Sequence, residues 1–173
     1  MKIVFTGPEC SGKTDLSLKV AEKYSFGYVK EVAREYLDLR NNIYNYEDLL
    51  EIAKLQVAEE KRIGLDYNFI CADTDLLTII IWSKEKYNRV DPIILDLWKA
   101  DFADMYFLCS PDIPWTYDPQ RENPYDRDRL FDIHQTILKE NNLPFQIING
   151  DFENRISHVS QTINQKSLNT TFQ

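Results

Sequence analysis

The sequence predicts a doubly wound α/β fold with a five-stranded, mostly parallel sheet. Two observations carry that reading. Short, nearly unbroken apolar runs alternate along the chain with amphipathic stretches of helical period, as buried parallel strands and their crossover helices should. A glycine-bearing segment, GPECSGKT, stands between the first apolar run and the first amphipathic stretch. Open α/β sheets bind their ligands at that kind of strand end.

The elements follow in order. Lys2–Thr6 is β-branched and aromatic and stops at Gly7, a strand. Leu16, Leu18, Val20 and Ala21 put a helical period on Lys13–Tyr24, closed by Gly27. Gly27–Ala33 reads as the second strand. Asn45 caps a longer helix whose apolar positions run from Leu49 to Ile63 and which ends at Gly64. Tyr67–Ala72 is the third strand; Asp75–Lys86 and Pro92–Ala100 are helices. Met105–Cys109 is the fourth strand, followed by a polar stretch with four prolines over Ser110–Tyr125. A helix over Arg127–Asn141, a fifth strand at Phe145–Ile148 and a helix over Glu153–Gln165 complete the pattern. No repeat or linker divides the chain, so residues 1–165 read as a single domain and 166–173 as a polar, frayed tail.

Composition narrows the function. The formal charge of −8 argues against an open nucleic-acid or anionic-membrane surface, which needs clustered Lys and Arg. It leaves room for a local phosphate pocket. Cys10, Cys71 and Cys109 are isolated thiols without metal-ligand spacing, and no stretch approaches the length of a membrane span or a signal-peptide core. The expectation is a cytoplasmic protein, with homo-oligomerisation left open.

The segment Gly7-Pro8-Glu9-Cys10-Ser11-Gly12-Lys13-Thr14 fits the phosphate-loop pattern G-x-x-x-x-G-K-[ST], and its strand–loop–helix context is the one the pattern requires. The fold is therefore expected to be that of the phosphate-loop NTPases. Loop N–H groups and the helix N-terminus would cradle the phosphates of ATP. Lys13 would reach the β and γ oxygens, and Thr14 would put its hydroxyl on Mg²⁺. Asp73, directly after the third strand, is placed to hold Mg²⁺ directly or through water. Asp75 is either a catalytic acid or the cap of the helix it begins. In Arg34-Glu35-Tyr36, Glu35 is either the base that takes the proton of an attacking hydroxyl or part of an exposed turn, with Glu31 a weaker candidate for the same task. Arg121, Arg127 and Arg129 lie in a proline-rich segment suited to a lid that closes over phosphates, or else pair with the neighbouring Glu122, Asp126 and Asp128. Trp82 belongs to the core or to a ring-binding pocket; His134, with no second ligand nearby, reads as a surface or packing residue.

Taken in order, GPECSGKT, VAREYL, FICADTDLLT, the stretch IPWTYDPQRENPYDRDRLF and LKENNLPFQII resemble the ribosylnicotinamide kinase domain of the bacterial NadR regulators, over about residues 2–160. The resemblance implies a nucleoside-kinase activity in NAD biosynthesis, using ATP and Mg²⁺ to phosphorylate the 5′-hydroxyl of a ribosylnicotinamide-like nucleoside. It implies roles for Lys13 and Thr14 in the nucleotide loop, for Glu35, for Asp73 and Asp75, and for Asp118, Arg121 and Arg127 in the lid. By analogy with nucleotide kinases the strand order is expected to be 2-3-1-4-5. Tyr28, Tyr36, Trp82 and Trp115 are the candidate aromatic faces for a cationic ring. Lys30 stands where the family carries a tryptophan, and would oppose such a ring if it faced the pocket. The reading from another function class is a nucleotide-binding regulator, in which ATP binding or slow hydrolysis changes a partner contact.

Overall fold

In the computed structural model, which describes the backbone of residues 1–170 and the side chains of 1–165, five strands form one parallel sheet in the order β2-β3-β1-β4-β5. The strands are β1 (Lys2–Thr6), β2 (Gly27–Val29), β3 (Ile70–Asp73), β4 (Met105–Cys109) and β5 (Phe145–Ile148). The helices are α1 (Lys13–Tyr24), α2 (Val32–Asp38), α3 (Tyr46–Gly64), α4 (Leu76–Tyr87), α5 (Pro92–Ala100), α6 (Arg127–Glu140) and α7 (Phe152–Thr170).

Strand alternation splits the core into two layers. On one face Val4, Ala72, Tyr106 and Leu108 pack against apolar residues of α3, α4, α5 and α6. On the other, Ile3, Phe5, Cys71 and Phe107 meet Leu16 and Val20 of α1 and Val159 and Ile163 of α7. The central strands β1 and β4 are buried at every position, as strands covered on both faces must be. Register then fixes the site: Phe5 of β1 lies opposite Asp73 of β3 and Phe107 of β4, so these strands end at one level beneath the loop after β1.

Three of the expected elements differ from the sequence reading by more than one residue. The second strand stops at Val29, because this edge strand pairs only with β3 and only over Gly27–Val29. VAREYL is instead the first turns of α2, whose initial N–H, on Val32, donates to Gln56 Oε1 at 3.0 Å. The third strand starts at Ile70, leaving Tyr67 and Phe69 exposed before it, and includes Asp73 as its last residue. The final helix continues past Gln165 to Thr170, so most of the expected tail is helical; residues 171–173 of it lie outside the described residues. No described helix is long and apolar enough to cross a membrane.

Candidate active site

The loop from β1 to α1 is shaped by two glycines. Gly7 has φ 134°, and a Cβ there would stand 2.7 Å from the Cys109 carbonyl oxygen. Gly12 has φ 77°, and a Cβ there would stand 2.7 Å from Ile113 Cδ1. Both positions therefore need glycine. Ser11 Oγ donates to the Pro8 carbonyl at 2.8 Å, and Lys13 Nζ folds back onto the carbonyls of Gly7 and Pro8 at 3.0 and 2.8 Å.

The loop divides two cavities. One, of about 350 Å³, is lined by Cys10 through Asp15 with Glu31, Arg34 and Arg121. The other, of about 390 Å³, takes Gly7, Pro8 and Glu9 on its wall and extends to Tyr44, Ile81, Trp82 and His134. Lys13, Glu31, Arg34 and Arg121 border both. Three cations and one carboxylate thus stand where a group could pass from one cavity to the other. In the larger cavity the Tyr44 and Trp82 rings lie edge to face at 4.7 Å, and Trp82 Nε1 donates to the Tyr44 hydroxyl at 2.7 Å. Lys86 covers a Tyr44 face at 3.9 Å from the ring centre and pairs with Glu122 at 3.0 Å.

Asp73 is in the lining of neither cavity and reaches the smaller one through its hydrogen bond with Thr14, which lines it. Burial and the charge of Glu31 push its carboxyl up to about 6, against the Thr14 hydrogen bond and the charges of Lys13 and Arg34. Its Oδ1 is buried and has no partner. An orphaned carboxylate oxygen beside a loop threonine hydroxyl is a donor pair suited to a hard cation that keeps most of its waters and its phosphate ligands. Among the described residues no cluster of three His, Cys, Asp or Glu forms a cage.

Two candidate acids change places. Glu35 points away from both cavities; its side chain is 61% exposed and pairs with Lys30. Ala33 and Leu37, buried one turn apart, turn Glu35 to the outer face of α2, and that spacing was available in the sequence. Glu31, at the N-terminal boundary of α2, lines both cavities and accepts from Arg34 Nε at 2.9 Å. Asp75 is 2% exposed. It caps α4 through Leu77 N–H at 3.0 Å and accepts from the Tyr106 hydroxyl at 2.9 Å, and it borders neither cavity. Both of its oxygens are used within the core, so the catalytic reading gives way to the cap.

The segment 110–126 lies across the loop. Glu9 accepts from the backbone N–H of Glu122 and Asn123 at 2.9 and 2.6 Å and from Trp115 Nε1 at 3.5 Å. Asp118 meets Arg34 at 3.3 Å, and the Gln120 N–H, with Arg34 and Arg121, holds its carboxyl below the usual range. Arg121 reaches the cavity wall while bonded to the Thr116 carbonyl at 2.6 Å. Arg127 instead holds the Cys10 and Ile113 carbonyls at 3.1 and 2.9 Å, supporting the loop from outside the cavities. Arg129 pairs with Asp126 at 2.6 Å and with Glu85. Of the candidate aromatic faces only Trp82 borders the larger cavity: the Tyr36 hydroxyl bonds Asp48 at 2.6 Å, Tyr28 packs among the partly buried side chains of the α1–α7 layer, and Trp115 holds Glu9. Burial opposes ionisation of Cys10, yet its contacts with Thr116 and the charges of Arg121 and Arg127 bring the thiol below its ordinary value.

Tyr44 of the larger cavity escaped the sequence reading, and so did a residue behind the loop. Arg155 of α7 is 1% exposed. It donates to the carbonyls of Gly150, Ser11 and Ser110 at 2.8, 2.8 and 3.2 Å and pairs with Asp112. A single guanidinium thereby joins the phosphate loop to the ends of β4 and β5. An arginine inside an amphipathic helix carries no sequence signal of that kind.

The comparisons agree with this geometry. The structure resembles the NadR protein in complex with NR (TM-score 0.77, 18% identity, covering 95% of this chain and 50% of that one). It also resembles the NadR protein in complex with NAD and AMP-PNP (0.74, 18%, 87% and 44%). Thymidylate kinase from Ehrlichia chaffeensis matches over nearly the full length of both chains (0.70, 18%, 95% and 98%). The chain spans about half the length of the NadR chains. Comparison with the curated proteins gives no match. The five-stranded kinase-type fold is shared with these structures, and the sequence itself matches the AAA domain model over residues 2–155, so the chain belongs to the AAA domain family.

Proposed function

We propose that this protein is an ATP- and Mg²⁺-dependent kinase that transfers the γ-phosphate to the 5′-hydroxyl of a ribosylnicotinamide-like nucleoside. The observation that carries the reading is the shared wall: the cavity at the phosphate loop and the aromatic cavity meet at Lys13, Glu31, Arg34 and Arg121. A binding module for ATP alone has no need of the second chamber.

In this reading the loop N–H groups and α1 hold the β-phosphate, and Lys13 leaves its carbonyl partners for the β and γ oxygens. Arg34 and Arg121 face the charge that spreads over the transferred group. Glu31 receives the proton of the attacking hydroxyl as its oxygen bonds to phosphorus and ADP departs. Thr14 and Asp73 would hold Mg²⁺, which when bound neutralises phosphate charge. Trp82 offers a face to the nucleoside ring beside Glu31, Glu85 and Glu122, which are paired with Arg34, Arg129 and Lys86 in turn. Lys30 turns outward to Glu35, so it does not oppose a cationic ring. The complex of the NadR protein with NR lends the acceptor class its support.

The test is ADP release with nicotinamide riboside, nicotinic acid riboside and ordinary nucleosides, each beside a tube without acceptor. Release that rises with a riboside supports the proposal. Equal release in every tube, control included, overturns it in favour of an ATP-hydrolysing regulator.

A further inference from the structure

The sequence reads His134 as a surface or packing residue, and its surroundings say more. It lies on α6, is 3% exposed and borders the larger cavity. Its Nδ1 stands 2.8 Å from the Leu130 carbonyl oxygen one turn back. A carbonyl can only accept, so Nδ1 carries the proton and the tautomer is fixed. Nε2, across the ring from that bond, is left as a bare lone pair. It is buried and has no partner, and the buried Thr6 hydroxyl, also unpaired, makes no bond to it. Burial keeps the ring neutral, bringing its pKa down to about 4 despite the Leu130 bond, and the Lys13 charge acts in the same direction. Buried polar atoms are seldom left unpaired, and the side chain that carries this one lines the cavity in which a ligand would sit.

The geometry points to His134 as the residue that selects the nucleoside, its Nε2 receiving a hydrogen bond from an N–H or O–H of the bound molecule. The inference rests on the kinase reading and deepens it. A neutral ring of fixed tautomer can accept there and cannot donate. A nucleoside with a donor at that place completes the pair, whereas one presenting a carboxylate or carbonyl sets lone pair against lone pair. Two donors of this chemistry exist on a ribosylnicotinamide-like molecule: the carboxamide N–H of the ring and a hydroxyl of the sugar.

The experiment measures KM for nicotinamide riboside, nicotinic acid riboside, adenosine and its 2′- and 3′-deoxy forms, beside KM for ATP. It uses wild type, His134→Leu and His134→Gln. Leucine removes the acceptor; the Gln Oε1 returns one near the place of Nε2. Wild type is expected to favour the donor-bearing member of a pair. His134→Leu should erase that preference and raise KM for the favoured nucleoside about tenfold, the scale of one lost hydrogen bond, with KM for ATP unchanged. His134→Gln should recover most of the loss. Erasure of the amide-over-acid preference identifies the carboxamide as donor; erasure of a ribose preference identifies a hydroxyl. A preference that survives in His134→Leu overturns the inference. So does a glutamine variant no better than leucine, or a KM for ATP that rises in step. If wild type phosphorylates none of these, the kinase reading has failed by itself. The same nucleosides are then titrated into the three proteins by calorimetry. Binding weakened by leucine and restored by glutamine still supports selection by His134, and its absence overturns that as well.

Discussion

Asp73 and Asp75 are two residues apart, both acidic, both buried, and opposite in what their surroundings ask of them. Asp73 ends β3 on the side of α1 and keeps one oxygen with no partner beneath the phosphate loop. Asp75 turns to the other side of the sheet, where the Leu77 N–H and the Tyr106 hydroxyl occupy both of its oxygens. Trp98 Nε1 donates to the same tyrosine at 3.3 Å, and the Lys2 ammonium opposes the effect of burial on Asp75. A satisfied buried carboxylate rigidifies a core; an unsatisfied one is held ready for something absent from the chain. The same contrast separates Glu31, at the shared wall, from Glu35, paired with Lys30 at the surface. Chemical type is equal in each pair, so position on the fold decides the role.

The comparison breaks most visibly at Lys13, the ammonium that borders both cavities. Lys13→Ala should lower ATP turnover by at least about two orders of magnitude, the loss expected when a transition-state donor is removed, with its circular-dichroism spectrum unchanged. A folded variant with wild-type turnover would place the phosphate chemistry elsewhere. Next comes the glutamate pair. Glu31→Gln should reduce kcat about a hundredfold with little change in KM for ATP, while Glu35→Gln stays within about twofold of wild type. The reverse ranking would restore Glu35 as the base.

Asp75 should respond in stability alone. Asp75→Ala removes a helix cap and the acceptor for the Tyr106 hydroxyl proton, a loss of about 2 kcal/mol in denaturant unfolding, and kcat per folded molecule should not change. The pH dependence has a definite sign. Burial raises the Asp75 carboxyl above its ordinary value, so between the unfolded and folded pKa values the native state holds a proton that the unfolded chain has released. Stability from this group is fullest below the unfolded carboxylate range and is lost as pH rises through the raised value. Asp75→Asn cannot ionise. Its stability measured against wild type should therefore improve as pH rises; a difference independent of pH would mean that Asp75 does not titrate on unfolding.

Much of this was legible in the sequence, and what was missed shares a cause. β4, α5 and β5 span Met105–Cys109, Pro92–Ala100 and Phe145–Ile148, the bounds read from their apolar runs. The phosphate loop was legible because its function is carried by backbone shape, which Gly7 and Gly12 announce. The second strand was read too long because the β-branched Val32 carries the apolar run on past Val29, and only the short pairing with β3 shows where the strand ends. Arg155, Glu9 and His134 were missed or underrated because their roles come from partners more than 100 residues away or from an atom with no partner at all. Spacing within one element reports faces of that element; it does not report what another element brings to them.

The finest test of the comparison replaces both carboxylates by the same neutral isostere. An amide oxygen is a weaker ligand for a hard cation than a carboxylate, and it cannot offset the charge of a divalent ion. Asp73→Asn should therefore raise the Mg²⁺ concentration for half-maximal rate about tenfold, the scale on which supporting groups alter metal affinity, and most of kcat should return at saturating Mg²⁺. Asp75→Asn should leave that concentration unchanged, because its side chain faces Tyr106 and not the phosphate loop. A thermal-shift titration of each variant with Mg²⁺ and ADP reads the same difference without catalysis: the midpoint should move for residue 73 and stay for residue 75. Should the two variants shift equally, the unpaired oxygen of Asp73 has no special claim on the cation, and the division between a site face and a core face of this sheet would have to be drawn elsewhere.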